Sequence, residues 1–196
     1  MITNLYFVRH AHSDYSADEL GRSLSVRGVN DANGITDILK KENIDVVVSS
    51  PYKRAFQTVE GIAKHLKREI EIIDTFKERI LSEQPVIDFY EAMLQVWSNF
   101  DFSLPGGESN HLAQERGVQA TKEILKKYGG QNIAIGTHGN IMVLIMNYFD
   151  PIYDFSFWKQ LEMPDIYQLT FSEQQLIAVK RVDKVSRTNS TGNIIY

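Results

Sequence analysis

The chain has 196 residues, 43% hydrophobic and 23% charged, enough for one sizeable folded domain with its own core. A net charge of −4 offers no basic surface for nucleic acid, and the absence of cysteine removes disulfides, thiolate metal sites and cysteine nucleophiles. The start, MITNLYFVRH, lacks the basic and long apolar regions of a signal peptide, and the longest strongly apolar run, Ile141 to Met146, is too short to cross a bilayer, so the expected setting is cytoplasmic, with no membrane partner.

Residues 4–9 read as a buried strand ending at Arg9-His10. Residues 25–41 read as a helix, with Val29, Ala32, Ile35, Ile38 and Leu39 near helical spacing. A second buried strand covers 45–48. Pro51 then suits a first helical turn and Ser50 its cap, in a helix running to about Leu66. A short strand at 70–73 precedes a helical stretch at 83–99, rich in aromatics. The PGGES segment breaks the chain before a long helix over 108–128. NIAIGTHGN, from Asn132, is a strand stopping at a glycine-rich turn, followed by a helix to Tyr148. Residues 166–182 read as a hairpin around SEQQ, and the tail from Ser186 is polar at first and loosely held.

Strands alternating with helices predict a three-layer α/β/α sandwich with a mostly parallel mixed sheet. With no repeat, linker or low-complexity block, the reading is one domain over 1–196, with 80–108 as an excursion from it.

In open α/β sheets, ligands bind beyond the carboxyl ends of the strands. After the first strand come Arg9, His10, His12 and Ser13. After the second come Ser49, Ser50 and, one turn on, Arg54; after the third, Glu78 and Arg79; after the fourth, His138, Gly139 and Asn140. Each alone has an ordinary reading. Arg9-His10 is a surface turn, GTHG a tight turn and Arg54 a solvated helix residue. Arginines gathered in one cleft, however, require an anion.

The motifs VRHAHS, SSPYKRAFQT, KER and GTHGN together resemble those of the histidine phosphatase superfamily, which includes the cofactor-dependent phosphoglycerate mutases. The resemblance implies a phosphoglycerate mutase-like fold, with His10 accepting a phosphoryl group. It further implies that Arg9 and Arg54 grip the phosphate and that His138 is the pocket's second histidine. Glu78 would give the leaving group its proton, while Gly139, Asn140 and Ser13 would lie near the phosphate. Arginine suits the task because its planar fork binds two oxygens and stays charged. A neutral imidazole splits a hard hydrolysis into two easier steps. A donating Glu78 calls for a raised pKa, which burial favours and Arg79 opposes.

One departure is Ala11, where the family usually has glycine. His12 faces either the pocket or away from it. Glu83 rivals Glu78 as the acid, His65 and His111 read as helix-surface residues, and Lys180, Arg181, Lys184 and Arg187 read as a solvated edge. From Ile80 to Glu115 there is no lysine or arginine, against six acidic residues. That favours a small-molecule phosphate ester with an uncharged or apolar leaving group, and so a phosphatase needing neither metal nor cofactor. The alternatives are mutase-type phosphoryl transfer and a non-catalytic phosphate-binding module.

Overall fold

The computed structural model describes residues 1–182. The strands are β1 (Ile2–Arg9), β2 (Val46–Ser49), β3 (Glu71–Ile72), β4 (Asn132–Thr137), β5 (Asp165–Ser172) and β6 (Gln175–Arg181). The helices are α1 (Val26–Leu39), α2 (Lys53–Leu66), α3 (Phe89–Ser98), α4 (Asn110–Lys127), α5 (Gly139–Phe149) and α6 (Phe155–Gln160), with a 3₁₀ turn at Asp74–Phe76. The sheet order is β3-β2-β4-β1-β5-β6. β3, β2, β4 and β1 run parallel, while β5 is antiparallel to β1 and to β6.

Side chains alternate across a strand, so each central strand feeds two cores. Leu5 and Phe7 of β1, with Ile133 and Ile135 of β4, join the core under α3, α4 and α5. Tyr6 and Val8, with Ala134, join the core under α1 and α2. The result is the three-layer α/β/α sandwich. α5 is apolar all round: Ile141 to Met146 are completely buried, as befits a central core helix.

Four local expectations change. In α1, Val29 is 48% exposed. The inner position belongs to Gly28, where a Cβ would lie 1.9 Å from the His12 carbonyl oxygen. α2 begins at Lys53, and Tyr52, not Ser50, stands at its N-cap position. α3 begins only at Phe89, capped by Asp88, whose carboxylate accepts from the Glu91 N–H. Pro85 explains the delay, since it disfavours helix at Gln84 and lacks a donor itself. Finally, α6 had no counterpart in the sequence reading. The expected tail from Ser186, with Lys184 and Arg187 of the basic cluster, lies outside the described residues. Among the described residues, no helix is long and apolar enough to cross a membrane.

Candidate active site

Register builds the site. Arg9 of β1 pairs with Thr137 of β4, and Ser49 of β2 with Gly136. The next residue on each strand, His10, His138 and Ser50, therefore arrives at the same sheet edge. The His10 N–H donates to the Thr137 carbonyl at 2.9 Å, and the two histidine rings meet edge-to-face at 5.2 Å between centroids.

His10 is buried, and its Nδ1 lies 2.8 Å from the Ala11 carbonyl oxygen. A carbonyl only accepts, so this contact assigns the proton to Nδ1 and leaves Nε2 unprotonated, with its lone pair as an acceptor. Arg54 Nε points at that lone pair from 3.3 Å. Burial, reinforced by the charges of Arg54 and Arg9, pushes the His10 pKa from 6.5 down to about 3, so the imidazole is neutral at pH 7.

His138 is fully buried behind His10 and takes no part in the cavity wall. Its Nε2 shares a 2.8 Å hydrogen bond with Ser50 Oγ, and the Tyr52 ring packs on it edge-to-face. Burial, with His10 and Arg54, holds its pKa well below the usual histidine value.

Arg54, in the first turn of α2, is 2% exposed. Its Nη1 donates to the Glu19 carbonyl at 2.8 Å, and its Nη2 pairs with the Glu19 carboxylate at 3.2 Å. The same carboxylate lies 2.9 Å from Arg22. Any anion that reached Arg54 would therefore compete with Glu19 for it. Arg9 Nη1 donates to the carbonyls of Leu161 and Glu162 at 3.0 and 3.1 Å. Its guanidinium crosses Gly139 so closely that a Cβ there would sit 2.9 Å from Nε.

Glu78 stands at the other wall. Its carboxylate accepts the backbone N–H groups of Arg79 (2.9 Å), Asn140 (3.0 Å) and Ile141 (2.9 Å). Two of these are open donors of α5's first turn, so the side chain caps that helix from outside. Arg116 of α4 steadies the segment, donating to the carbonyls of Thr75, Lys77 and Glu78. Burial lowers the Arg79 pKa.

These residues enclose a cavity of about 590 Å³. Its wall includes Arg9, His10, Ser13, Arg54, Glu78, Gly139 and Asn140, every expected site residue except His138. His12 also lines it, while bonded through Nδ1 to Ser25 Oγ at 2.8 Å. Glu83 is exposed and forms no part of the wall. Ala11 is completely buried against Leu24 and Ala32, its N–H donating to Thr58 Oγ1 at 3.0 Å. Its methyl packs into a small apolar cluster and does not line the cavity.

Sequence reasoning missed Glu19, Arg22 and the apolar wall formed by Leu81, Met93, Trp158 and Met163. It also misread Ser50, a histidine partner expected to be a cap. Nothing local marks these residues, because each acquires its role from a distant element.

Comparison with known proteins agrees with this geometry. The chain is similar to a "Metal-independent phosphoserine phosphatase" of Arabidopsis thaliana, 29% identical over 157 residues, 72% of this chain and 66% of the relative. It is also similar to "Phosphoglycerate mutase-like protein 4" of the same plant, 30% identical over 151 residues, 69% of this chain and 66% of the relative. The chain thus spans about two thirds of the length of these relatives. A mycobacterial glucosyl-3-phosphoglycerate phosphatase shares the fold, with a TM-score of 0.76, 17% identity, and coverage of 95% of this chain and 100% of that one. A phosphoserine phosphatase variant from Entamoeba histolytica, solved with phosphoserine, gives 0.75, 19%, 93% and 98%. The family model for branch 1 of the histidine phosphatase superfamily matches residues 5–184, and the chain belongs to that superfamily.

Proposed function

We propose that this protein hydrolyses phosphate monoesters through a phosphohistidine formed on His10. The observation carrying this reading is the neutral, tautomer-fixed His10, whose Nε2 lone pair shares one cavity with Arg9, Arg54 and Glu78. Phosphoryl transfer depends on positioning and on neutralising the equatorial oxygens. Arg9 and Arg54 supply the charge, and phosphate entry draws the Arg54 Nε–H away from the lone pair. Nε2 then attacks phosphorus, and the bond from phosphorus to the ester oxygen breaks. Glu78, the acid that the resemblance implies, gives a proton to the departing oxygen. In the second step Glu78, now a base, takes a proton from water as that water displaces His10 and releases inorganic phosphate.

His138 keeps the His10 ring in place by edge-on packing. The reading retains the cytoplasmic setting expected from the sequence. Relatives named phosphoserine phosphatase make phosphoserine the first natural ester to try. The expected result is EDTA-resistant release of phosphate from an aryl phosphate, abolished in His10→Ala, with an acid-labile phosphoenzyme in the native protein. Full activity in His10→Ala would sink the mechanism. Interconversion of 2- and 3-phosphoglycerate without free phosphate would replace the phosphatase reading with a mutase.

A further inference from the structure

Arg54 is assigned to the phosphate, yet the chain's own groups already engage it. Its side chain is 3% exposed. In a guanidinium, Nε–H and one N–H of Nη2 lie parallel along one edge, a fork that takes two oxygens of an oxyanion. Along that edge Nε faces His10 Nε2 at 3.3 Å, and Nη2 meets a carboxylate oxygen of Glu19 at 3.2 Å. The remaining nitrogen, Nη1, donates to the Glu19 carbonyl at 2.8 Å. An oxyanion that faces the His10 lone pair and is gripped by this fork needs the place that the Glu19 carboxylate holds.

The side chain can yield that place without moving the loop that carries it. The loop backbone is fixed beyond Glu19: the Leu20 carbonyl accepts from the Lys53 N–H at 2.9 Å, and the Leu24 N–H donates to Gln57 Oε1 at 2.9 Å. The Glu19 side chain itself is half exposed and lines the cavity. Among the described residues its carboxylate is held by two guanidinium groups alone, Arg54 through one oxygen and Arg22 through the other, the latter at 2.9 Å. Letting go of Arg54 therefore does not strand the carboxylate. One oxygen keeps Arg22, and the freed one turns to water.

We infer that Glu19 is an internal competitor for the phosphate position: its carboxylate holds Arg54 between turnovers, falls back on Arg22 as substrate enters, and retakes Arg54 as inorganic phosphate leaves. The inference rests on the phosphatase reading for its place in the reaction. Two anions contest one buried guanidinium, so each weakens the other's hold. The carboxylate is tethered, and it competes at an effective concentration set by its short side chain rather than by the solution. Substrate and product phosphate are weakened alike, and product gripped by both Arg9 and Arg54 is released the sooner. Glu19 is thus a positioning residue that acts through Arg54. It sets how firmly phosphate is held and leaves the bond-breaking step to the other groups.

The test is a calorimetric titration of the native protein and of Glu19→Gln with inorganic phosphate at fixed ionic strength, which does not depend on turnover. Glutamine keeps the size of the side chain and the backbone contact to Arg54 but removes the charge. The variant is expected to bind phosphate about 10- to 100-fold more tightly, the range for hydrogen bonds to a charged group. A merely structural role for Glu19 predicts the opposite, because a loosened Arg54 grips phosphate less well. Acetate supplies a second readout. In Glu19→Ala it should take the carboxylate's place on Arg54 and weaken phosphate binding more than equal chloride does, and more than it does in the native protein. Phosphate affinity unchanged or reduced in Glu19→Gln, binding by neither protein, or acetate acting no differently from chloride in Glu19→Ala overturns the inference. Tighter binding in Glu19→Gln with no His10-dependent hydrolysis of any monoester leaves the competition standing and removes the phosphatase reading. Aryl phosphate hydrolysis by a protein whose phosphate affinity ignores Glu19 does the reverse.

Discussion

The imidazole of His138 is completely buried and has one hydrogen-bond partner among the described residues, the Ser50 hydroxyl. Ser50→Ala leaves both ring nitrogens unsatisfied in a site that water does not reach. The expected loss is about 1–3 kcal/mol of stability, read from the midpoint of urea unfolding. An unchanged midpoint contradicts the assigned contact. Gly139 makes a second test. Alanine there meets the Arg9 guanidinium at 2.9 Å and pushes it from the place proposed for gripping phosphate. Small misplacements of a gripping group are costly, so kcat/KM for an aryl phosphate should fall on the order of 10- to 100-fold while the fold survives. Arg9, His10, Arg54 and His138 were legible as candidates in the sequence, because each ends or directly follows a strand or opens a helix within a recognisable motif. It did not show Ser50's partner, which lies 88 residues away. Nor did it show Glu19 and Arg22, whose loop carries no periodicity to read.

At the scale of elements, the Glu78 segment has almost no regular structure of its own, only the 3₁₀ turn just before it. It is held in place by its neighbours. Arg116 ties Thr75, Lys77, Glu78 and Glu108 together from one side chain, and the α5 amides hold Glu78 itself. Removing the tie with Arg116→Met should destabilise the protein by about 1–3 kcal/mol and slow turnover more than it weakens phosphate binding. Arg116→Lys should not restore activity, since an ammonium cannot span these carbonyls and a carboxylate at once. A lysine variant with native turnover would show that the clamp is dispensable. The alternation of strands and helices was legible because each core strand is a short apolar run between polar turns. The excursion was less so. Its aromatics fit a helix from residue 83, but Pro85 and the Asp88 cap postpone the helix to Phe89. α6 has six residues, too few to establish a helical repeat.

For the whole molecule, the two buried histidines couple stability to acidity. An unfolded histidine takes up a proton below about pH 6.5, whereas folded His10 does so only near pH 3, and folded His138 is held low as well. Between those limits the unfolded chain binds more protons, so stability falls as pH falls. Each histidine contributes a slope of up to about 1.4 kcal/mol per pH unit. The melting temperature should drop steadily below pH 6.5, before most carboxylates begin to titrate, and His10→Gln should flatten the slope by one proton's share. A melting temperature constant from pH 6.5 to pH 5 would falsify this account.

The place of β1 in the sheet also matters to how the chain is made. β1 delivers Arg9 and His10, yet its neighbours in the sheet begin at Asn132 and Asp165. On a ribosome, which releases the chain in sequence order, the strand bearing His10 emerges ahead of both its neighbours and waits for them before it can pair. Until then a strongly apolar strand has both edges open, a state prone to association with other chains. The sheet around His10 is thus completed only after β5 has emerged, and a nascent chain stalled between β4 and β5 carries β1 with only one of its two flanking strands.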